Sequence, residues 1–336
     1  MMVETARNSP APSVNDLVMQ WMSETGDSLK LNDTRELLAL LDQELYADYQ
    51  PFPESAPFIE RLAEWLHNVR DDKTSQQLLF NFVPWLLFIG RKEMETMYRA
   101  AFTGPITRWI IEDAQLDIAD PSLPQQFSDA VRETYFGSLA GMDVGGFFRV
   151  NGLAGQSDRP DFRALSRFGD FDTFKDEILC DGFCRVVAIE DMVGKGTQML
   201  EASPVLMHLE PMSVLVCPIV AAPAGVQTWL TKLKKPQTNL AFSPLFVIPE
   251  DAAVSETVPP VAEPQTIEEI RELIRDSWPS VCGRNPSPQL QDGPFGYGRF
   301  GSLVLSYLNC PDNVPPFIHY QSESWSPLFR RVSREG

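Results

Sequence analysis

Residues Arg185–Met199 constrain the fold more than any other stretch of the chain. Val186-Val187-Ala188-Ile189 is a short apolar, β-branched run, which reads as a strand buried on both faces of a parallel sheet. The run stops at two acids, Glu190 and Asp191. A small-residue turn follows, Gly194-Lys195-Gly196-Thr197-Gln198, and Met199-Leu200-Glu201 can open a helix. In such an arrangement the loop N–H groups and the helix N-terminus point at a phosphate. Acids at the carboxyl end of the strand then face sugar hydroxyls or a Mg²⁺ ion. An ordinary strand-to-helix connection would use the same residue types, so the stretch alone leaves both readings open.

The neighbouring chain gives this stretch a context. Gln198 to Leu209 reads as a crossover helix, with Pro204 kinking it or shifting its start. Val214 to Val220 is a second apolar strand, ended by the turn Ala221-Ala222-Pro223-Ala224-Gly225. Gln227 to Lys235 reads as a helix and Phe246 to Ile248 as a third strand. Strands and helices alternating at this spacing imply a parallel sheet. Ahead of it, residues 14–125 read as helical. Asn15-Asp16 caps an apolar stripe through Leu17, Val18, Trp21 and Met22. Residues 76–98 read as one central helix with Pro84 as a kink or boundary, and Pro105 is expected to divide 92–112 into two helices. Gln126 to Leu139 reads as a further helix. Gly137, Gly141, Gly145 and Gly146 then mark a tight turn or a close backbone approach. The expected organisation is an unordered lead-in over 1–13, a helical region over 14–125, and an α/β domain over 126–336 with a Pro-rich insertion at 250–265.

Composition excludes some functions. A formal charge of −18 rules out a broad basic surface for nucleic acid. It leaves room for a local basic patch or a basic partner. No run of 18 apolar residues is present, so no membrane span is expected. The polar segment Met1–Pro12 has no apolar signal core, so a cytoplasmic location is expected. Five scattered cysteines beside three histidines predict reduced thiols rather than a structural zinc site.

The loop resembles the phosphoribosyltransferase fingerprint, in which a hydrophobic strand leads to two acids and then a Thr-Gly-x-Thr turn. The acids fall on Glu190 and Asp191, the first Thr on Lys195, the Gly on Gly196 and the last Thr on Gln198. A second likeness lies near the C-terminus. Gly196-Thr197-Gln198, Asn313-Val314-Pro315 and Trp325-Ser326-Pro327-Leu328-Phe329-Arg330-Arg331 together resemble the signatures of a phosphoribosyltransferase-like family from bacterial conflict systems. That resemblance implies an α/β fold with a parallel-sheet phosphoribosyltransferase-like core behind an N-terminal helical region. It implies a phosphoribosyl pyrophosphate or nucleotide ligand whose phosphate sits on Gly194, Lys195, Gly196, Thr197 and Gln198. Chemistry would take place at the anomeric carbon, with Glu190 and Asp191 as catalytic acids and as ligands of Mg²⁺. By position, Gly152 to Arg159 would cradle pyrophosphate or form a plain surface loop.

The resemblance also implies a biological setting. Such proteins are associated with anti-phage defence loci, retrons among them, as effectors or nucleotide sensors. Implied partners are a winged-helix protein or a reverse transcriptase–nucleic acid complex, with no membrane involved. In the tail, His319, Trp325, Arg330 and Arg331 are candidate ligand-binding residues. Trp325 and Phe329 offer apolar faces, and the two arginines offer phosphate forks. The same aromatic residues could instead lock the C-terminus into a core. Three functions are therefore weighed: an enzyme, a catalytically inactive nucleotide-sensing module that regulates a partner, and an interaction scaffold built on the early helices.

Overall fold

The computed structural model describes residues 11–25, 28–51, 56–153, 161–234, 239–249, 253–255, 264–284 and 287–332. Most of the expected lead-in and most of the 250–265 insertion lie outside the described residues. The chain is α/β. It forms two compact units, one of Met1–Arg91 with Asp251–Gly336 and one of Lys92–Glu250. These limits differ from the expected division at residue 125, because the early helices fold together with the last part of the chain.

Among the described residues the strands are β1 (Leu87–Ile89), β2 (Thr134–Ser138), β3 (Arg185–Val193), β4 (Ser213–Ala221), β5 (Leu240–Phe242), β6 (Phe246–Val247) and β7 (Val304–Ser306). The unit Lys92–Glu250 carries the larger sheet, all parallel, in the order β2-β3-β4-β5, with β6 also on β4. β5 pairs with Val214 to Val216 and β6 with Val220 and Ala221, so together they act as one interrupted edge. Val187 lies in register between Phe136 and Leu215. On one face Val186, Ala188, Val214 and Val216 pack with Phe162, Phe174, Met199 and Leu206 from the flanking helices. Side chains alternate along a strand, and on the other face Phe136 meets Phe102 and Phe147. Burial on both faces explains why β3 and β4 are apolar without alternation.

Two sequence expectations change in this unit. The helix expected over Gln126–Leu139 ends at Arg132, and Thr134–Ser138 is instead β2, buried at every position. Pairing with β3 outweighs a local helical pattern in a segment holding Thr134, Tyr135 and Phe136. Pro105 does not divide its helix. A π turn over Phe102–Ile106 absorbs it, and the Thr107 hydroxyl donates to the Phe102 carbonyl at 2.7 Å.

The other unit gathers helices Val14–Thr25, Ser28–Glu44, Phe58–His67, Lys73–Phe82 and Pro264–Cys282 around one core. The single helix expected over 76–98 is interrupted. Lys73–Phe82 ends before Pro84, which sits in a 3₁₀ turn over Val83–Trp85, and Leu87–Ile89 becomes β1, parallel to β7. Proline lacks the N–H that the helix ladder needs, and Phe88 and Ile89 are buried in a strand instead, with Leu87 exposed.

Candidate functional site

β3 does not stop at the acids. It runs through Glu190 and Asp191 to Val193, so the turn proper is Gly194-Lys195-Gly196. The two acids are not equivalent. Glu190 is 2% exposed, and its Oε2 accepts from the backbone N–H of Ala140 at 2.8 Å. Next to it, the Leu139 N–H donates to the Ile189 carbonyl at 2.7 Å, and the Gly141 N–H to the Ser138 hydroxyl at 2.9 Å. Glu190 therefore ties the turn after β2 to the sheet. Asp191 is half-buried, and its Oδ1 accepts from the Met192 N–H at 2.8 Å.

Gly196 adopts φ 81° at the N-cap of the helix Thr197–His208, where a glycine supplies no capping side chain of its own. A Cβ at Gly196 would lie 3.1 Å from both the Met199 methyl and Thr228. Left-handed backbone and lack of room both call for glycine here. Gly194 and Lys195 are half-buried, while Thr197 and Gln198 are exposed. The first turn of a helix presents N–H groups and the positive end of the helix dipole. One turn further on, the Glu201 carboxylate accepts from Arg163 Nε at 2.6 Å and from Arg167 at 2.8 Å. Both arginines thus converge on one carboxylate of that helix.

Among the described residues no group of three or more His, Cys, Asp or Glu is gathered in a way that could hold a metal ion. Mg²⁺ is commonly held by one or two carboxylates, with ligand phosphate and water completing the shell. Half-exposed Asp191 fits that pattern. Buried Glu190, already engaged with Ala140, does not.

The tail residues belong to the other unit, Met1–Arg91 with Asp251–Gly336. Trp325 is 2% exposed and its indole N–H donates to the Phe317 carbonyl at 2.7 Å. Phe329 stacks on Phe58 at 5.7 Å and meets Tyr46 edge-on. These aromatic rings are core, so the expectation that Trp325 offers a face to a base is corrected. His319 is buried, with Nε2 3.1 Å from the Val314 carbonyl. Burial, helped by the charge of Arg331, pushes its pKa down to about 3. It is neutral near pH 7 and unsuited to proton transfer there. The Arg330 side chain is exposed, and its carbonyl accepts from the Tyr49 hydroxyl at 2.8 Å. Arg331 pairs with Asp312 at 3.5 Å. Of the segment Gly152 to Arg159, Gly152 closes the helix Gly145–Asn151 in a left-handed conformation, and residues 154–160 lie outside the described residues.

Sequence reasoning assigned no role at the site to Ala140, Gly225 or Thr228, all of which touch the acid or the loop. A signal was available in the small-residue turn Ala221–Gly225. Loops after neighbouring parallel strands emerge at the same sheet edge, so the turn after β4 had to adjoin the one after β3.

No helix among the described residues is long and apolar enough to cross a membrane. Comparison with known families gives a match to the PRTase-CE family model over residues 62–331. No curated protein and no solved structure matches the chain.

Proposed function

The chain belongs to the PRTase-CE family and is phosphoribosyltransferase-like, and from that premise we propose that it binds a ribose 5-phosphate ligand, either phosphoribosyl pyrophosphate or a nucleotide. The ligand phosphate rests on Gly194, Lys195, Gly196, Thr197 and Gln198. Asp191 faces the ribose hydroxyls, directly or through Mg²⁺. The observation that carries this reading is the start of helix Thr197–His208. It opens at left-handed Gly196, which has no capping side chain of its own, directly after a glycine turn at the carboxyl end of an inner parallel strand.

Reaction takes place at the anomeric carbon. Charge there becomes oxocarbenium-like, and a nearby carboxylate stabilises it electrostatically. Asp191 supplies that carboxylate, while Glu190 keeps the turn after β2 in place. Bound Mg²⁺ would neutralise phosphate charge. In the cell the protein acts in the cytoplasm as an effector of anti-phage defence, beside a winged-helix protein or a reverse transcriptase–nucleic acid complex.

A thermal-shift panel tests the ligand. Phosphoribosyl pyrophosphate and nucleotides, each with Mg²⁺, should raise the Tm of the wild-type chain by mass action and raise that of Asp191→Ala much less. Equal shifts in both proteins, or none with any phosphoribosyl compound, reject the reading.

One observation favours a second reading, a nucleotide-sensing module without turnover. The first acid is buried and engaged with Ala140, which leaves one carboxylate at the rim where the family fingerprint has two. Product analysis after incubation with a bound ligand separates the two readings. A ligand recovered intact after many protein equivalents favours sensing.

A further inference from the structure

We propose that the segment Ala222–Thr228, which follows β4, is a backstop that sets the peptide orientations of the Gly194–Gly196 turn, with Thr228 and Gly225 as its positioning residues. This rests on the reading of Gly194–Gln198 as a phosphate loop. Three consecutive carbonyls, from the end of β3 into the turn, face the segment. The Val193 carbonyl accepts from the Ala222 N–H at 2.8 Å. The Gly194 carbonyl lies against Gly225, where a Cβ would come within 2.6 Å of it and within 2.8 Å of the Val193 side chain. The Lys195 carbonyl accepts from the Thr228 hydroxyl at 2.8 Å.

A trans peptide holds its C=O and N–H on opposite sides. Carbonyls of Gly194 and Lys195 turned to the backstop therefore direct the Lys195 and Gly196 N–H groups away from it. Consecutive N–H groups turned to one side form an anion-binding concavity, whereas an inward carbonyl would repel phosphate. The backstop is itself anchored. Trp229, next to Thr228, stacks on Phe242 of β5 at 5.1 Å and 19°. The sheet edge thus supports the loop through Phe242, Trp229, Thr228 and the Lys195 carbonyl. Gly225 has a negative φ, so its requirement is space alone.

The test compares Thr228→Val, which keeps the shape and loses the donor, with Thr228→Ser, which keeps the donor. Gly225→Ala serves as a steric variant. Two readouts are taken on the full chain: amide hydrogen exchange without ligand over Lys195–Leu200, where the Leu200 N–H is protected by the Gly196 carbonyl at 2.9 Å, and calorimetric titration with phosphoribosyl pyrophosphate and Mg²⁺. Thr228→Val should speed exchange and weaken binding by about tenfold, the scale of one lost hydrogen bond in a preorganised site. Thr228→Ser should stay within about twofold of wild type in both. Unchanged exchange in Thr228→Val overturns the proposal, and so does faster exchange with unchanged affinity. Faster exchange in a protein whose wild type binds no phosphoribosyl pyrophosphate upholds the backstop and removes the ligand reading instead.

Discussion

Trp65 and Trp325 donate their indole N–H groups to the same acceptor, the Phe317 carbonyl, at 2.8 and 2.7 Å. One comes from an early helix and the other from the tail. Asn68 and Ser326 add a reciprocal pair, side-chain amide to carbonyl at 2.8 Å and backbone N–H to side-chain oxygen at 3.0 Å. The helix Phe58–His67 and the tail are thereby closed into one core, and a large indole removed from it leaves both a cavity and an underused carbonyl. Trp325→Ala should cost about 3–5 kcal/mol in urea unfolding. Trp325→Phe, which keeps most of the ring, should cost about 1–2 kcal/mol. A cost below about 1 kcal/mol for the alanine variant would show that the tail is not part of this core.

The unequal acids predict a separation of stability from binding. Glu190→Ala leaves the Ala140 N–H without this buried acceptor and should cost about 1–3 kcal/mol. Asp191→Ala, at a half-exposed position, should change stability by less than about 0.5 kcal/mol. It should greatly reduce the thermal shift given by phosphoribosyl pyrophosphate with Mg²⁺. The reverse pattern, a stable Glu190→Ala protein and an unfolded Asp191→Ala protein, would contradict the assignment.

Gly196 and Gly141 allow strain to be separated from crowding. Both have left-handed backbone, at φ 81° and 96°, but a Cβ meets neighbours only at Gly196. Gly141→Ala should cost about 1–2 kcal/mol from backbone conformation alone. Gly196→Ala should cost more and weaken ligand binding, because Met199 or Thr228 has to move. Equal melting temperatures for the two variants would argue against the close packing.

His319 predicts an acid-sensitive component of stability. Its folded pKa of about 3 lies below the usual 6.5, so the unfolded chain binds the extra proton between those values. Stability from this group is intact above pH 6.5 and falls as the pH drops towards 3. Between pH 7 and pH 5 the loss should be about 2 kcal/mol. His319→Gln, which keeps a donor and does not titrate, should show a smaller loss over that interval by about that amount. Parallel pH profiles for the two proteins would place the acid sensitivity elsewhere.

Much of the large sheet was legible in the chain. Val186 to Ile189 and Val214 to Val220 are continuous apolar runs, a pattern that burial on both faces requires. The glycine turn was also legible, because few residues other than glycine accept the backbone of Gly196. Less legible were segments whose form depends on a distant partner. Thr134–Ser138 sits in a helical pattern and becomes a strand only because β3 offers a ladder. Leu87–Ile89 does the same against Val304–Ser306, more than 200 residues away in sequence.

Local sequence thus determined the α/β class, the strand–turn–helix unit around Glu190 to Gln198 and the need for glycine at its bend, since periodicity and backbone sterics act over a few residues. Tertiary structure alone decided which acid is a strut and which is at the rim, that Trp325 is core, and that Ala222–Thr228 faces the loop carbonyls. Each of these depends on an atom supplied by a different segment: the Ala140 N–H, the Phe317 carbonyl and the Thr228 hydroxyl. Hydrogen-bond partners and close packing are set by distance in space, and no residue pattern along a single strand or helix encodes that distance.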